Sequence, residues 1–182
     1  MAMTNDPGRI YDELLVTLVR TGDRAAAERL AARWYPRLLR TARRLLRDDD
    51  QAREAVQEAW TGICRGWVGL ADARKFPAWA FSILHHKCAD RIRHEQGGRA
   101  RQTDLNGCET DRAAADSEVR MAISQALDRL SHDHRVAAIL FFHEGLTLSE
   151  IAIATGVPTG TAKSRIFHAR RQLKAALQGD EK

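Results

Sequence analysis

Residues 147–177, TLSEIAIATGVPTGTAKSRIFHARRQLKAAL, decide the fold of the C-terminal part of the chain. The four residues 147–150 have the S/T-x-x-E form of a capping box, which is typical of a helix start. The short helix that they begin ends at Gly156, and a second helix follows Pro158 and reaches about Gln178. Two helices joined by a tight turn with glycine predict a helix-turn-helix, whose second helix is free to enter the major groove of DNA.

The second helix of this motif carries charges of one sign only, because every charged residue between Pro158 and Ala176 is basic. A surface helix usually mixes both signs, so this pattern favours a polyanionic partner. In a recognition helix the first turns meet base edges and later cations hold phosphates. The candidate DNA-binding residues are Thr161, Lys163, Ser164, Arg165, Phe167, His168, Arg170 and Arg171. The alternative is a basic, solvated helix at the end of a helical bundle.

The composition of the whole chain favours an all-α protein. Its 182 residues carry a net charge of +5, only 6% are aromatic, and the long periodic stretches are rich in alanine, leucine, arginine and glutamate. The three cysteines are widely spaced, which favours neither a disulfide framework nor a zinc knuckle. We find no apolar stretch of signal-peptide or membrane-spanning length, so we expect a reduced, cytoplasmic protein.

Residues 95–117 divide the chain into two domains. This segment, EQGGRARQTDLNGCETDRAAADS, contains one large aliphatic residue, Leu105, and cannot bury enough apolar surface to offset its ordering entropy. It is therefore predicted to be a flexible linker between a helical domain at 1–94 and a helix-turn-helix domain at 118–182. The predicted fold class is all-α, with two small helical domains.

The N-terminal domain shows helical periodicity almost throughout. We expect a helix over Tyr11–Arg20 and a longer one over Arg24–Arg47, which Asp23 caps. Pro36 predicts a kink or a break in the longer helix. Asp48-Asp49-Asp50 would start a third helix, and a fourth would cover about Ala78–His94. One face of the longer helix, either solvated or in contact with a partner, carries Arg33, Arg37, Arg40, Arg44 and Arg47.

Both halves resemble the extracytoplasmic-function sigma factors of bacterial RNA polymerase. In the C-terminal half, Glu150-Ile151-Ala152 and Gly160-Thr161 with Lys163-Ser164-Arg165 are typical of the DNA-binding region 4 of that family. In the N-terminal half, DDDQAREAVQEAW at 48–60 and FPAWAFSILHHKCADRIR at 76–93 are similar to parts of region 2. The departures from the common family pattern include Ala162 for valine, His168 for arginine, Ala80 for leucine, Leu84 for alanine, His86 for asparagine and Glu54 for aspartate.

This resemblance implies an alternative sigma factor that binds core RNA polymerase and directs promoter-specific initiation through minus-10 and minus-35 elements. The N-terminal domain would dock on the clamp helices of the largest subunit through Asp49, Asp50, Glu54, Gln57 and Glu58. It would recognise and melt the minus-10 element through Lys75, Phe76, Trp79, His86, Lys87, Asp90, Arg91 and Arg93. The C-terminal domain would read the minus-35 duplex and contact the polymerase flap.

The family also implies a cognate anti-sigma factor, which holds the protein at the inner membrane when it is itself membrane-bound. We expect no cofactor, no metal and no small-molecule substrate.

Two other interpretations remain. His85, His86, Cys88 and His94 could belong to a zinc enzyme, although no HExxH motif accompanies them. An operator-binding regulator would use the same helix-turn-helix but bind duplex DNA alone as a symmetric dimer. Trp79 is either core or part of a DNA-facing pocket.

Overall fold

The computed structural model describes residues 6–99 and 115–179, which contain helices and no strand. The helices are α1 Pro7–Arg20, α2 Arg24–Leu46, α3 Asp49–Gly66, α4 Phe76–Arg99, α5 Ala115–Asp128, α6 His132–Ala138, α7 Leu148–Thr155 and α8 Thr159–Gly179. They form two compact units, α1–α4 and α5–α8, which confirms the predicted all-α class. Among the described helices, none is both long and apolar enough to cross a membrane.

Aspartate caps begin the first three helices. The Asp6 carboxylate accepts a hydrogen bond from the Gly8 amide (3.0 Å), and Asp23 and Asp48 receive equivalent bonds from the amides three residues later. Each cap satisfies a backbone donor that the helix leaves open, and its loss costs about 1 kcal/mol. The cap at Asp23 confirms the sequence prediction, and the cap at Asp48 lies where the third helix was predicted to start.

Helix α2 continues through Pro36, so of the two predicted outcomes, a kink or a break, the break is wrong. Proline inside a helix costs about 3 kcal/mol. That cost is offset because the apolar face of α2 is buried against its neighbours, and Trp34 and Leu38, on either side of the proline, have no exposed surface. Burial of each such side chain contributes about 1.5–3 kcal/mol.

Trp34 lies at the centre of the first unit. Its ring meets Phe76 edge to face, with 4.9 Å between centroids, and Phe81 lies 5.8 Å away. The guanidinium of Arg37 covers the Trp34 ring at 4.5 Å, and Arg33 forms an ion pair with the buried carboxylate of Asp12 (2.5 Å). Part of the arginine face of α2 therefore serves the fold, because a buried carboxylate needs a charged partner.

The helices extend further into the segment 95–117 than the sequence indicated. Helix α4 continues to Arg99 instead of ending near 94, and α5 starts at Ala115 instead of 118. Residues 100–114, the middle of the predicted linker, lie outside the described residues. The glycine pair at 97–98 does not end α4, because glycine costs a helix only about 1 kcal/mol per residue.

Candidate nucleic-acid and protein interfaces

The capping box of α7 is complete. The Glu150 amide donates to the Thr147 hydroxyl (3.3 Å), and the Thr147 amide donates to the Glu150 carboxylate (2.7 Å). The helix ends at Gly156, whose φ of +68° lies in the left-handed region that favours glycine. Helix α8 starts three residues later at Thr159, so the predicted helix-turn-helix is confirmed.

Helix α8 presents an apolar face inward and a basic face outward. Ala162, Ile166 and Ala169 are buried at spacings of four and three residues. The exposed residues on the other side are Lys163, Ser164, Phe167, Arg170 and Arg171, and Thr161 is half-buried. Phe167 keeps 62% of its surface exposed, although it is the one large aromatic residue of the helix. Most of the predicted DNA-binding residues therefore share a cationic surface with an exposed aromatic ring.

Two of the predicted DNA-binding residues contact α6 instead of lying fully open. Arg165 donates through Nη2 to the carboxylate of Asp133, and only 22% of its side chain is exposed. The His168 ring stacks on His134 with 5.7 Å between centroids. No pattern in the sequence indicates Asp133 and His134, because only tertiary packing brings the first turn of α6 against α8.

The neighbouring His132 carries a testable pH dependence. Burial lowers the pKa of His132, Arg135 and Arg165 add to this effect, and Asp133 opposes it. The folded protein therefore binds a proton at His132 less readily than the unfolded chain, so the stability that this group contributes is present above pH about 6.5 and lost as the pH falls. We expect His132→Gln to lose less of its free energy of unfolding than the wild type between pH 7.5 and 5.5, measured by urea denaturation. Equal losses in the two proteins would contradict this assignment.

Acidic residues of α3 and basic residues of α4 form an ion-pair network across the two helices. Glu58 accepts from Lys87 (3.0 Å) and from Arg91 (2.6 Å), and Arg91 also pairs with Glu54. The hydrogen bond from Lys87 lowers the pKa of Glu58, with Arg91 adding to the effect. The network borders a groove of about 540 Å³ lined by Gln51, Glu58, Lys87, Asp90, Arg91 and His94. Glu54 and Glu58, which we expected to contact polymerase, thus lie on the same face as Lys87 and Arg91, which we expected to contact DNA.

The start of α3 continues this acidic surface. Asp49 pairs with Arg43 and Arg53, and Asp50 pairs with Arg53. The hydrogen bond from Arg43 is the main reason why the pKa of Asp49 is lowered. Gln57 is exposed one turn further along the helix. The predicted polymerase-binding residues therefore follow one another along the exposed side of α3.

The segment before α4 holds the first predicted minus-10 residues. A short 3₁₀ turn at Ala73–Lys75 is capped by Asp72, and Lys75 is exposed at its end. Trp79 is half-buried, and its ring lies 6.0 Å from that of Phe76. Phe76 itself is fully buried, so our expectation that it meets DNA is corrected. Its ring fills the space between Trp34 and Trp79 and supports Trp79 from the core.

The remaining minus-10 candidates lie along α4. His86 is exposed, and its Nδ1 is 2.6 Å from the Ser82 carbonyl oxygen. Asp90 and Arg93 are exposed and pair with each other.

Cys88 is buried, and burial raises its pKa to about 12, so it stays a thiol and is a poor metal ligand. Within residues 6–99 and 115–179 we find no group of three or more histidine, cysteine or carboxylate side chains placed to hold a metal.

Comparison with known proteins matches both units to sigma-70 domains. Residues 30–97 match sigma-70 region 2, and residues 120–173 match sigma-70 region 4. The chain is 29% identical to the ECF RNA polymerase sigma factor SigK of Mycobacterium ulcerans over 184 residues, covering 96% of this chain and 98% of SigK. It is 31% identical to SigM of Mycobacterium tuberculosis over 165 residues, covering 91% of this chain and 83% of SigM.

Two solved structures share the fold. The sigma factor RpoE of Bartonella quintana, in complex with the anti-sigma factor NepR, superposes with a TM-score of 0.72 at 24% identity over 85% of this chain and 98% of that one. CnrH in complex with the cytosolic domain of CnrY gives a TM-score of 0.70, also at 24% identity, over 94% of this chain and 99% of CnrH.

Region 2 followed by region 4 defines a sigma factor of bacterial RNA polymerase. More narrowly, the chain belongs to the extracytoplasmic-function family of RNA polymerase sigma factors. It is a promoter-recognising alternative sigma factor and not an enzyme. The operator-binding regulator and the zinc enzyme are set aside on this ground.

Proposed function

We propose that α1–α4 dock on the clamp helices of the largest polymerase subunit and open the minus-10 element, while α5–α8 contact the flap and read the minus-35 duplex. The observation that carries this division is the contrast between the two exposed surfaces. Helix α3 presents carboxylates along one side, whereas α8 has basic residues and no acidic one. DNA phosphates attract the second surface, whereas the carboxylates of the first balance the cations that pair with them.

The docking face consists of Asp49, Asp50, Glu54, Gln57 and Glu58 on α3. Its two glutamates are held in place by Lys87 and Arg91. Because these side chains are already ordered, less entropy is lost when a partner binds. We therefore assign Lys87 and Arg91 mainly to ordering this face. They contact DNA only if they exchange a carboxylate for a phosphate.

Contact with the minus-10 element then falls mainly to Lys75, Trp79, His86 and Arg93, with Asp90 orienting Arg93. Lys75, His86 and Arg93 are exposed, and Trp79 offers part of an aromatic ring. A base leaves the DNA stack more readily when an aromatic side chain receives it and cations hold the adjacent phosphates. The four residues supply both kinds of group.

Arg171→Gln tests the role of α8 in binding DNA. Arg171 is exposed on the outward side of the helix, where a cation holds phosphate without reading bases. We expect holoenzyme carrying this variant to bind all promoter sequences more weakly by a similar factor, with the slope of log affinity against log salt concentration reduced by about 1. Fluorescence anisotropy of labelled promoter DNA over a salt series measures both quantities.

Arg29→Gln is the matched control, because it removes the same charge from an exposed position on α2. It is expected to leave the salt slope unchanged. An equal change in both variants would mean that net charge, and not α8, determines affinity.

We further propose that the protein works in the cytoplasm, where core polymerase and the chromosome are found, and that an anti-sigma factor controls it. RpoE of Bartonella quintana was solved in complex with the anti-sigma factor NepR and CnrH in complex with the cytosolic domain of CnrY, and both structures cover most of this chain. A membrane-bound partner would hold the protein at the inner membrane.

Copurification with core polymerase followed by run-off transcription tests the proposed sigma-factor function. Failure to bind core polymerase would refute it.

A further inference from the structure

The first turn of α6 forms a lateral support for the recognition helix. Two adjacent residues there contact α8: Asp133 pairs with Arg165, and His134 stacks on His168. The apolar seam beside them, formed by Ala138 and Ala169 with Leu130, is buried. The polar contacts therefore extend the contact between α6 and α8 from the buried apolar seam to the exposed surface.

Arg165 differs from the other cations of α8 in its position. It follows Ala162 by three residues and precedes Ala169 by four, and both alanines have no exposed surface. Residues at these spacings lie on nearly the same side of a helix. Arg165 thus leans toward α6, whereas Lys163 and Arg171 are exposed on the remaining surface.

We propose that Asp133 is a positioning residue for minus-35 specificity. By holding Arg165, it fixes the rotation of α8 about its axis and so sets the direction in which Lys163, Ser164 and Phe167 meet the base edges. The proposal rests on the assignment of α8 to the minus-35 duplex. A guanidinium held by a carboxylate suits this task, because charge-assisted hydrogen bonds are strong and directional. A rotation of α8 displaces all three side chains together, so discrimination suffers more than overall affinity.

A double-mutant cycle tests this inference. Holoenzyme with Asp133→Asn, Arg165→Gln or both changes is compared with wild type for binding to a mapped promoter and to versions with single minus-35 substitutions. We expect each single variant to reduce the ratio of cognate to altered affinity by about tenfold, which is at the low end of the discrimination that one well-placed base contact provides. The double variant should lose no more than either single variant, because both remove the same contact.

Three results would overturn the proposal. If only Arg165→Gln lowers the ratio, Arg165 reads a base directly. If Asp133→Asn raises affinity for every sequence, the carboxylate masks the cation. If Asp133→Asn lowers the melting temperature but leaves the ratio unchanged, the carboxylate only stabilises the positive end of α6. Arg171→Gln in the same assay tests the assignment of α8 to DNA separately. An unchanged salt slope in that variant would mean that α8 does not bind DNA.

Discussion

Replacement of Glu58 by lysine is expected to weaken binding to core RNA polymerase by about 100-fold, because like charges placed against each other across an interface cost several kcal/mol. The change acts at two levels. It removes a carboxylate from the docking face, and it places a third cation beside Lys87 and Arg91, which Glu58 now neutralises. Affinity measured by biolayer interferometry with immobilised core enzyme should show the loss, mainly as faster dissociation.

Glu28→Lys provides the matched control for this result. Glu28 is exposed on α2, outside the proposed docking face, and the substitution makes the same change in net charge. We expect its affinity for core enzyme to remain within about twofold of the wild type, since isolated surface charges contribute little. Unchanged affinity in Glu58→Lys, or an equal loss in both variants, would refute the docking face on α3.

Gly66→Ala is expected to disturb the minus-10 surface from within the fold. A β-carbon at Gly66 would lie 2.7 Å from Cζ2 of the Trp79 ring, which is closer than two carbons can approach. The ring must move, and Phe76 behind it is fixed in the core. We expect the free energy of unfolding to fall by about 1–3 kcal/mol, as in other overpacked sites. Promoter opening, followed by permanganate reactivity of unpaired thymines, should fall with it.

Gly62→Ala separates this steric effect from the general effect of replacing glycine in a helix. It lies one turn earlier in α3, and its β-carbon would meet Ile83 at an ordinary contact distance of 3.4 Å. We expect this variant to be more stable by about 0.5–1 kcal/mol, because alanine loses less backbone entropy than glycine. Its promoter opening should be unchanged. Normal opening in Gly66→Ala would contradict a role for Trp79 at the minus-10 element.

The features that the sequence predicted correctly depend on local interactions. The caps at Asp23 and Asp48 and the capping box of Thr147 with Glu150 each join residues three apart, so their spacing is visible in the chain itself. Gly156 shows the end of α7 in the same way. The start of α1 could also have been found, because Asp6 followed by Pro7 is a typical N-cap and first helical residue.

The features that the sequence could not show depend on tertiary packing. Asp133 and Arg165 are separated by 32 residues, and Arg91 is 33 and 37 residues from its two glutamates. No spacing rule indicates such pairs. Phe76 looked like an aromatic residue at the end of a loop, and only the position of Trp34 explains why it is buried. Pro36 was overestimated as a helix breaker because packing on both sides of it outweighs one lost hydrogen bond.

Photo-crosslinking from the two units to one promoter tests the division of labour most directly. Holoenzyme would carry a photoreactive amino acid in place of Phe167 on α8 or in place of Trp79 on α4, bound to promoter DNA of mapped start site. We predict that the probe at position 167 crosslinks to the minus-35 duplex and the probe at position 79 to the minus-10 element. Crosslinks from both positions to the same element, or from position 167 to the minus-10 element, would contradict the account.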